Sequence, residues 1–184
     1  SACLTGARLY LEAIDRFGQK AIEDAGALLI DETEQRLRAG LARLPDGEFF
    51  GEDVVDDDGI TDTPIPIRVK ITKQGDRCTV DLTDCPDQVP GNINCPLATT
   101  LAAVQYSFTI ALDPYVTPNH GCHTIIDIRT RKGSVLDPTR PAATAARTNV
   151  SLKVQEATLM AIGKMIPGRM MAPSHAQISH VAFV

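Results

Sequence analysis

The sequence predicts an α+β fold: N-terminal helices, then an antiparallel β-hairpin sheet packed against apolar helices. Three observations predict it. Residues 1–44 carry apolar side chains at helical spacing, residues 65–83 alternate apolar and polar across a tight turn, and residues 99–112 and 148–166 return to helical spacing with few charges. On this reading residues 1–44 are helical and residues 45–184 are mixed α/β, with no repeat or low-complexity linker between them.

Leu9, Ile14 and Phe17 give the first helix a loose apolar face, which Gly18 interrupts. From Gln19 to Leu44, Ile22, Leu29, Ile30, Thr33, Leu37, Leu41 and Leu44 recur three, four and seven apart, so either an antiparallel helical pair or one kinked helix fits. Pro45 to Ile67 contains no Lys or Arg and eight carboxylates: Asp46, Glu48, Glu52, Asp53, Asp56, Asp57, Asp58 and Asp62. Aligned on Gly59, a calcium loop would need its anchoring carboxylates at Val54 and Ile65, which excludes an EF-hand. What remains is a strand over 48–55 with an acidic turn at Asp56-Asp57-Asp58-Gly59, or an irregular cation site.

Ile65, Ile67, Val69 and Ile71 alternate with Pro66, Arg68, Lys70 and Thr72. After the turn Gln74-Gly75-Asp76, Cys78, Val80 and Leu82 alternate with Thr79, Asp81 and Thr83. This is a hairpin with one buried face. Pro90-Gly91 marks a turn, Asn92 and Asn94 suit local backbone bonding, and Pro96 suits the first turn of a helix that ends at Asp113-Pro114. Ile125, Ile126 and Ile128 give a further strand, and Gly133 to Pro141 a turn-rich loop. Val150, Val154, Ala157, Ala161 and Met165 form one helical stripe, and Ile178 to Val184 reads as a strand.

The formal net charge of −5 argues against a nucleic-acid partner, and no apolar run is long enough to span a bilayer. Five cysteines without a CxxC pair suit neither a disulfide framework nor a zinc finger, and the cytoplasm is the expected compartment. Cys78 reads as a small core residue. His120, Cys122 and His123 lie too close in sequence for all three to reach one metal, and His175 and His180 are five apart, the wrong offset for one helical face. Cys122 or Cys95 would need a neighbouring histidine to act as a nucleophile; the other reading of Cys122 is a turn residue placed for geometry. Neither a GxGxxG fingerprint nor a Walker loop is present.

Several short motifs occur in one order: Asp46-Gly47, Glu52-Asp53, Asp56-Asp57-Asp58-Gly59, Ile67-Arg68-Val69-Lys70, Val80-Asp81-Leu82-Thr83, Gly91-Asn92-Ile93-Asn94-Cys95-Pro96, Asn119-His120-Gly121-Cys122 and Gly133-Ser134-Val135-Leu136-Asp137-Pro138. This run, from about Gly6 onward, resembles the hydantoinase B family, which includes B-type halves of N-methylhydantoinase and 5-oxoprolinase and the corresponding parts of acetone and acetophenone carboxylases. The resemblance implies an internal fragment of a longer B-type subunit, expected to be inactive alone. It also implies an A-type partner subunit that handles ATP, and a small-molecule substrate. That substrate is a cyclic amide opened by hydrolysis or, alternatively, a ketone that is carboxylated; a non-catalytic scaffold or docking domain is the third reading.

ATP and a divalent metal are expected for the parent complex and no cofactor for this stretch, since the family's metal ligands lie upstream of it. Matched positions are Asn92, Asn94, Cys95, Asn119, Gly121, Cys122 and Asn149, expected to line a pocket or shape its loops. Where many relatives carry Gly-Gly-Asn, this chain has Ala145-Ala146-Arg147-Thr148-Asn149. Arg147 is therefore a candidate for binding a carboxylate or phosphate bidentately.

Overall fold

The elements set out by these periodicities are found in a computed structural model that describes residues 1–170 and 172–174. Their order is α1 (Ala2–Phe17), α2 (Gln19–Ala42), β1 (Gly47–Val55), β2 (Ile65–Gln74), β3 (Arg77–Asp81), α3 (Leu97–Leu112), a 3-10 turn (His120–Cys122), β4 (Ile126–Arg129) and α4 (Arg147–Met165). The strand expected over 178–184, with His175 and His180, lies outside the described residues. The fold is α+β, and the described residues form a four-stranded sheet in the order β1-β2-β3-β4.

β1 and β2 pair antiparallel with Gly51 opposite Val69, and β2 and β3 pair antiparallel across the turn. β4 joins β3 in parallel, Val80 opposite Ile128. That parallel pair is the one departure from the expected hairpin sheet. Its cause is α3: the chain crosses over through this helix before β4, and such a return brings the next strand in along the same direction.

The buried face of β2 is Ile65, Ile67, Val69, Ile71 and Lys73. Lys73 is charged but satisfied, since its Nζ donates to the Leu44 carbonyl and, at 2.7 Å, to Asp46. It thereby ties the end of α2 to the sheet. Against the sheet lies α4, whose stripe Val150, Val154, Ala157, Ala161 and Met165 is buried throughout. It crosses β1 at Gly51, where an added Cβ would lie 1.9 Å from the Ala157 carbonyl oxygen. Beside α4, α3 buries Val104 and Phe108, and Ser107 Oγ donates to the Gln155 carbonyl at 3.4 Å. Pro96 stands at the N-cap of α3 rather than in its first turn, its carbonyl accepting from Thr99 N at 2.8 Å and Thr100 N at 3.1 Å.

The N-terminal helices are two, separated at Gly18, whose φ of 84° is open to glycine and strained for other residues. They do not form a packed pair. No residue of α1 is buried, and Leu4, Leu9, Tyr10, Leu11 and Phe17 are all exposed. The C-terminal half of α2 carries the anchorage through Thr33, Leu37 and Leu41.

The acidic stretch resolves into β1 and a turn. Asp58 is buried, and its Oδ1 accepts from Thr61 N at 2.6 Å, Ile60 N at 2.9 Å and Thr61 Oγ1 at 3.1 Å. Its Oδ2 accepts from Gly91 N at 3.0 Å. The carboxylate that could have served a cation is thus engaged by the chain's own donors. Those donors, Thr61 N–H foremost, hold its pKa down to about 2 against the partial opposition of burial. The lowered pKa means that Asp58 stabilises the fold fully above its unfolded pKa, near pH 4, and that this contribution is lost as pH falls through 2. Asp58→Asn is accordingly expected to lower the melting temperature at pH 7, with the gap to the natural chain closing between pH 4 and pH 2. Thermal melts across that range check it, and a gap that does not change with pH would contradict the assignment.

Candidate functional site

α3 and α4 run side by side in the same sense, so their first turns stand together, and the loops feeding them form one layer at the C-terminal ends of β3 and β4. Backbone bonds weave it: Gln88 N to Gly133 O at 2.9 Å, Val135 N to Pro86 O at 2.9 Å, Cys95 N to Val135 O at 2.8 Å and Ala146 N to Asn92 O at 2.9 Å. Thr100, buried in the first turns of α3, donates Oγ1 to the Leu136 carbonyl at 2.8 Å. Gln88 adds a side-chain clamp, its Oε1 accepting from Thr139 N at 2.7 Å.

Asn94 is the hub of the layer. Fully buried, it accepts through Oδ1 from Val89 N at 2.9 Å and donates through Nδ2 to Val89 O at 2.8 Å, Gly91 O at 3.0 Å and Ala143 O at 3.0 Å. One side chain therefore fixes the turn before α3 and the loop before α4. Gly91 is packed so closely that an added Cβ would lie 1.9 Å from the Asp58 carbonyl oxygen. Its missing side chain is what lets the acidic turn close on the layer.

Of the eight residues singled out from the sequence, five come together here: Asn92, Asn94, Cys95, Arg147 and Asn149. Asn92 and Arg147 are exposed. Cys95 is fully buried, and burial pushes its thiol above the ordinary range, only partly countered by Thr100 and the Arg147 charge. That is the opposite of what an activated nucleophile requires. Asn149, in the first turn of α4, has a buried Oδ1 with no hydrogen-bond partner among the described residues. Ala146, at the N-cap of α4, has φ −98° and ψ 25°, which alanine adopts without strain, so the loop needs no glycine to close here.

The other three lie elsewhere. Asn119, Gly121 and Cys122 form the 3-10 turn at the opposite end of the β3–β4 pair, packed on α2. Asn119 Oδ1 caps the turn by accepting from Gly121 N at 2.8 Å, while its Nδ2 donates to Thr33 Oγ1 at 2.8 Å. A Cβ on Gly121 would lie 2.3 Å from the Ile30 carbonyl oxygen. Cys122 is buried in the core, and His120 and His123 flank it on the surface with ring centroids 5.8 Å apart. This cluster docks α2 onto the body of the fold.

Asp58, Gln88 and Thr100 belong to the layer and are not among the residues singled out from the sequence. For Asp58 a signal existed: an Asp followed by Gly and a hydroxyl residue three positions on is the pattern of an Asx-type turn. Nothing in the local sequence marks Gln88, whose partner Thr139 is distant along the chain.

Comparison with known proteins places this architecture. Residues 1–184 match the family described as hydantoinase B/oxoprolinase. A protein of Pseudomonas sp. (strain NS671), provisionally named as the B-type subunit of a D-/L-hydantoinase, is 31% identical over 183 residues, covering 94% of this chain and 31% of that protein. The crystal structure of the ATP-dependent caprolactamase from Pseudomonas jessenii shares the fold with a TM-score of 0.81 at 22% identity, covering 91% of this chain and 29% of the other. A nucleotide-free acetone carboxylase structure does so with a TM-score of 0.77 at 18% identity, covering 88% of this chain and 23% of the other. The chain thus spans a third or less of the length of these proteins.

Proposed function

This chain belongs to the hydantoinase B/oxoprolinase family, and on that premise we propose that it is part of the B-type subunit of an ATP-dependent enzyme that opens a cyclic amide, a hydantoin or 5-oxoproline ring, together with an A-type partner. The observation that carries this reading is the family match along all 184 residues, supported by the relative named as a B-type hydantoinase subunit. An amide carbonyl is a poor electrophile, and ATP can activate it by phosphorylating its oxygen. The A-type partner is assigned that step.

Within the parent enzyme, this stretch supplies framework more than reacting groups. Asn94, Asn119 and Gly121 are consumed by packing and hydrogen bonds, and Cys95 and Cys122 are buried. The exposed Arg147 and Asn92 beside the first turn of α4 are the groups open to a substrate's oxygens. Among the described residues no three His, Cys, Asp or Glu side chains gather to hold a metal ion, and the divalent cation of the parent complex is not placed on them. ATP and that cation are assigned to the rest of the assembly. No helix among the described residues is long and apolar enough to cross a membrane.

The fold shared with acetone carboxylase supports a second reading, a ketone carboxylase component. Turnover of ATP by the longer parent protein with its A-type neighbour decides between them, using hydantoin, 5-oxoproline, a lactam, acetone and acetophenone. Stimulation by a cyclic amide without bicarbonate is expected. Stimulation by a ketone only when bicarbonate is present would select the carboxylase.

A further inference from the structure

Asp58 is the buried carboxylate of the acidic turn, and its two oxygens have different partners. Oδ1 serves the turn itself, accepting from Ile60 N, Thr61 N and Thr61 Oγ1. The amide oxygen of an asparagine would do the same. Oδ2 reaches out of the turn and accepts from Gly91 N, 33 residues on, at 3.0 Å. An asparagine cannot do this, because its Nδ2 would turn hydrogens toward the Gly91 N–H. The second acceptor oxygen, the one that makes the residue an acid, therefore serves Gly91 and not the turn.

What Gly91 carries lies at the first turn of α4. Asn92 follows it directly, and the Asn92 carbonyl accepts at 2.9 Å from the N–H of Ala146, the residue before Arg147. Asn94 Nδ2 donates to the Gly91 carbonyl at 3.0 Å, so Asn94 fixes one side of the glycine and Asp58 the other. Held on one side only, a glycine is free to swing, since it lacks the Cβ that limits other residues. We infer that Asp58 is a positioning residue: through Gly91 it sets where Asn92 and Arg147 stand. Its effect on turnover rests on the reading that these two are the groups open to a substrate's oxygens. The acidic turn thereby acts at a distance on the first turn of α4.

The test uses the longer parent protein with its A-type partner, and the cyclic amide that the natural enzyme turns over. Asp58→Asn is expected to lower kcat/KM about tenfold, inside the roughly hundredfold that misplacement by about 1 Å can cost. In the Asn92→Ala/Arg147→Ala background the same substitution is expected to cause no further loss, because no side chain is left to position. Asp57→Asn is the control: its carboxylate serves the turn through Gly59 N at 2.7 Å, and kcat/KM is expected to stay that of the natural enzyme. An undiminished kcat/KM in Asp58→Asn would overturn the positioning role, as would an equal loss with Asp57→Asn or in both backgrounds. Failure of the natural enzyme to turn over any cyclic amide would count against the proposed function instead. Amide exchange then decides: Asp58→Asn is expected to speed exchange at Ala146 more than at Val69, and an unchanged Ala146 would overturn the role. Should Asp58→Asn lose the helical circular-dichroism signal, Asp58→Ser, which keeps one oxygen for the turn, is read in the same way.

Discussion

Gly51→Ala is expected to destabilise the chain by about 3 kcal/mol or more, at or beyond the upper end of ordinary overpacking. The added methyl would sit 1.9 Å from the Ala157 carbonyl oxygen and 2.9 Å from the Ala161 nitrogen. Both are backbone atoms of α4, so no rotamer change relieves the clash. The helix must lift from β1, and its stripe from Val150 to Met165 loses contact with Val69 and Ile71 on the sheet. For a chain of this size the loss corresponds to a fall of roughly 6–12 °C in melting temperature. Gly26→Ala is the matched control, because nothing lies within 4 Å of the Cβ it would add and glycine is costly inside a helix. That variant is expected to gain up to about 1 kcal/mol. Urea titration of both resolves the difference, and equal effects would refute the close crossing at Gly51.

Asn94→Ala is expected to cost about 3–4 kcal/mol, since it removes one acceptor and two donors that answer four backbone groups at once. Val89 N and the carbonyls of Val89, Gly91 and Ala143 would lose a partner, and a buried polar group left unanswered costs roughly 1–3 kcal/mol. The expected losses do not add fully, because water can enter the space the amide leaves. The effect is local as well as global. The loop before α4 is released from the turn before α3, and Arg147 with it. Hydrogen exchange at Val89 and Gly91 should therefore accelerate more than at Val69 in β2. Uniform acceleration across both regions would mean that Asn94 contributes stability without organising the layer.

Much of this fold is legible in the sequence, for reasons that also mark where legibility stops. The alternation over residues 65–83 fixes β2 and β3 because one face must be buried, and the stripe from Val150 to Met165 fixes α4 for the same reason. Periodicity identifies a face and says nothing of what covers it. Leu9 and Phe17 belong to the loose apolar face of the first helix as Leu37 and Leu41 belong to that of the second, yet only the latter two are buried. The direction of β4 depends on where the α3 crossover returns the chain, a tertiary fact that Ile126 and Ile128 cannot carry.

The candidate site is legible in part. Asn92, Asn94 and Cys95 are neighbours in sequence and in space, and the family motif points to them together. That Arg147 and Asn149 join them follows from α3 and α4 running in the same sense, which no local pattern encodes. Asn119, Gly121 and Cys122 look equally special in sequence because a capped turn under close helix contact demands the same residue types as a binding loop. Their surroundings, Ile30 and Thr33 of α2, decide the matter.

The measurement that bears most directly on the proposed function is ATP turnover by the longer parent protein in complex with its A-type partner, with and without a cyclic amide. Turnover is predicted to rise severalfold on addition of hydantoin, 5-oxoproline or a lactam, with equimolar ring-opened product and no dependence on bicarbonate. An unchanged rate with all three, in a complex shown to be folded and metal-loaded, would contradict it.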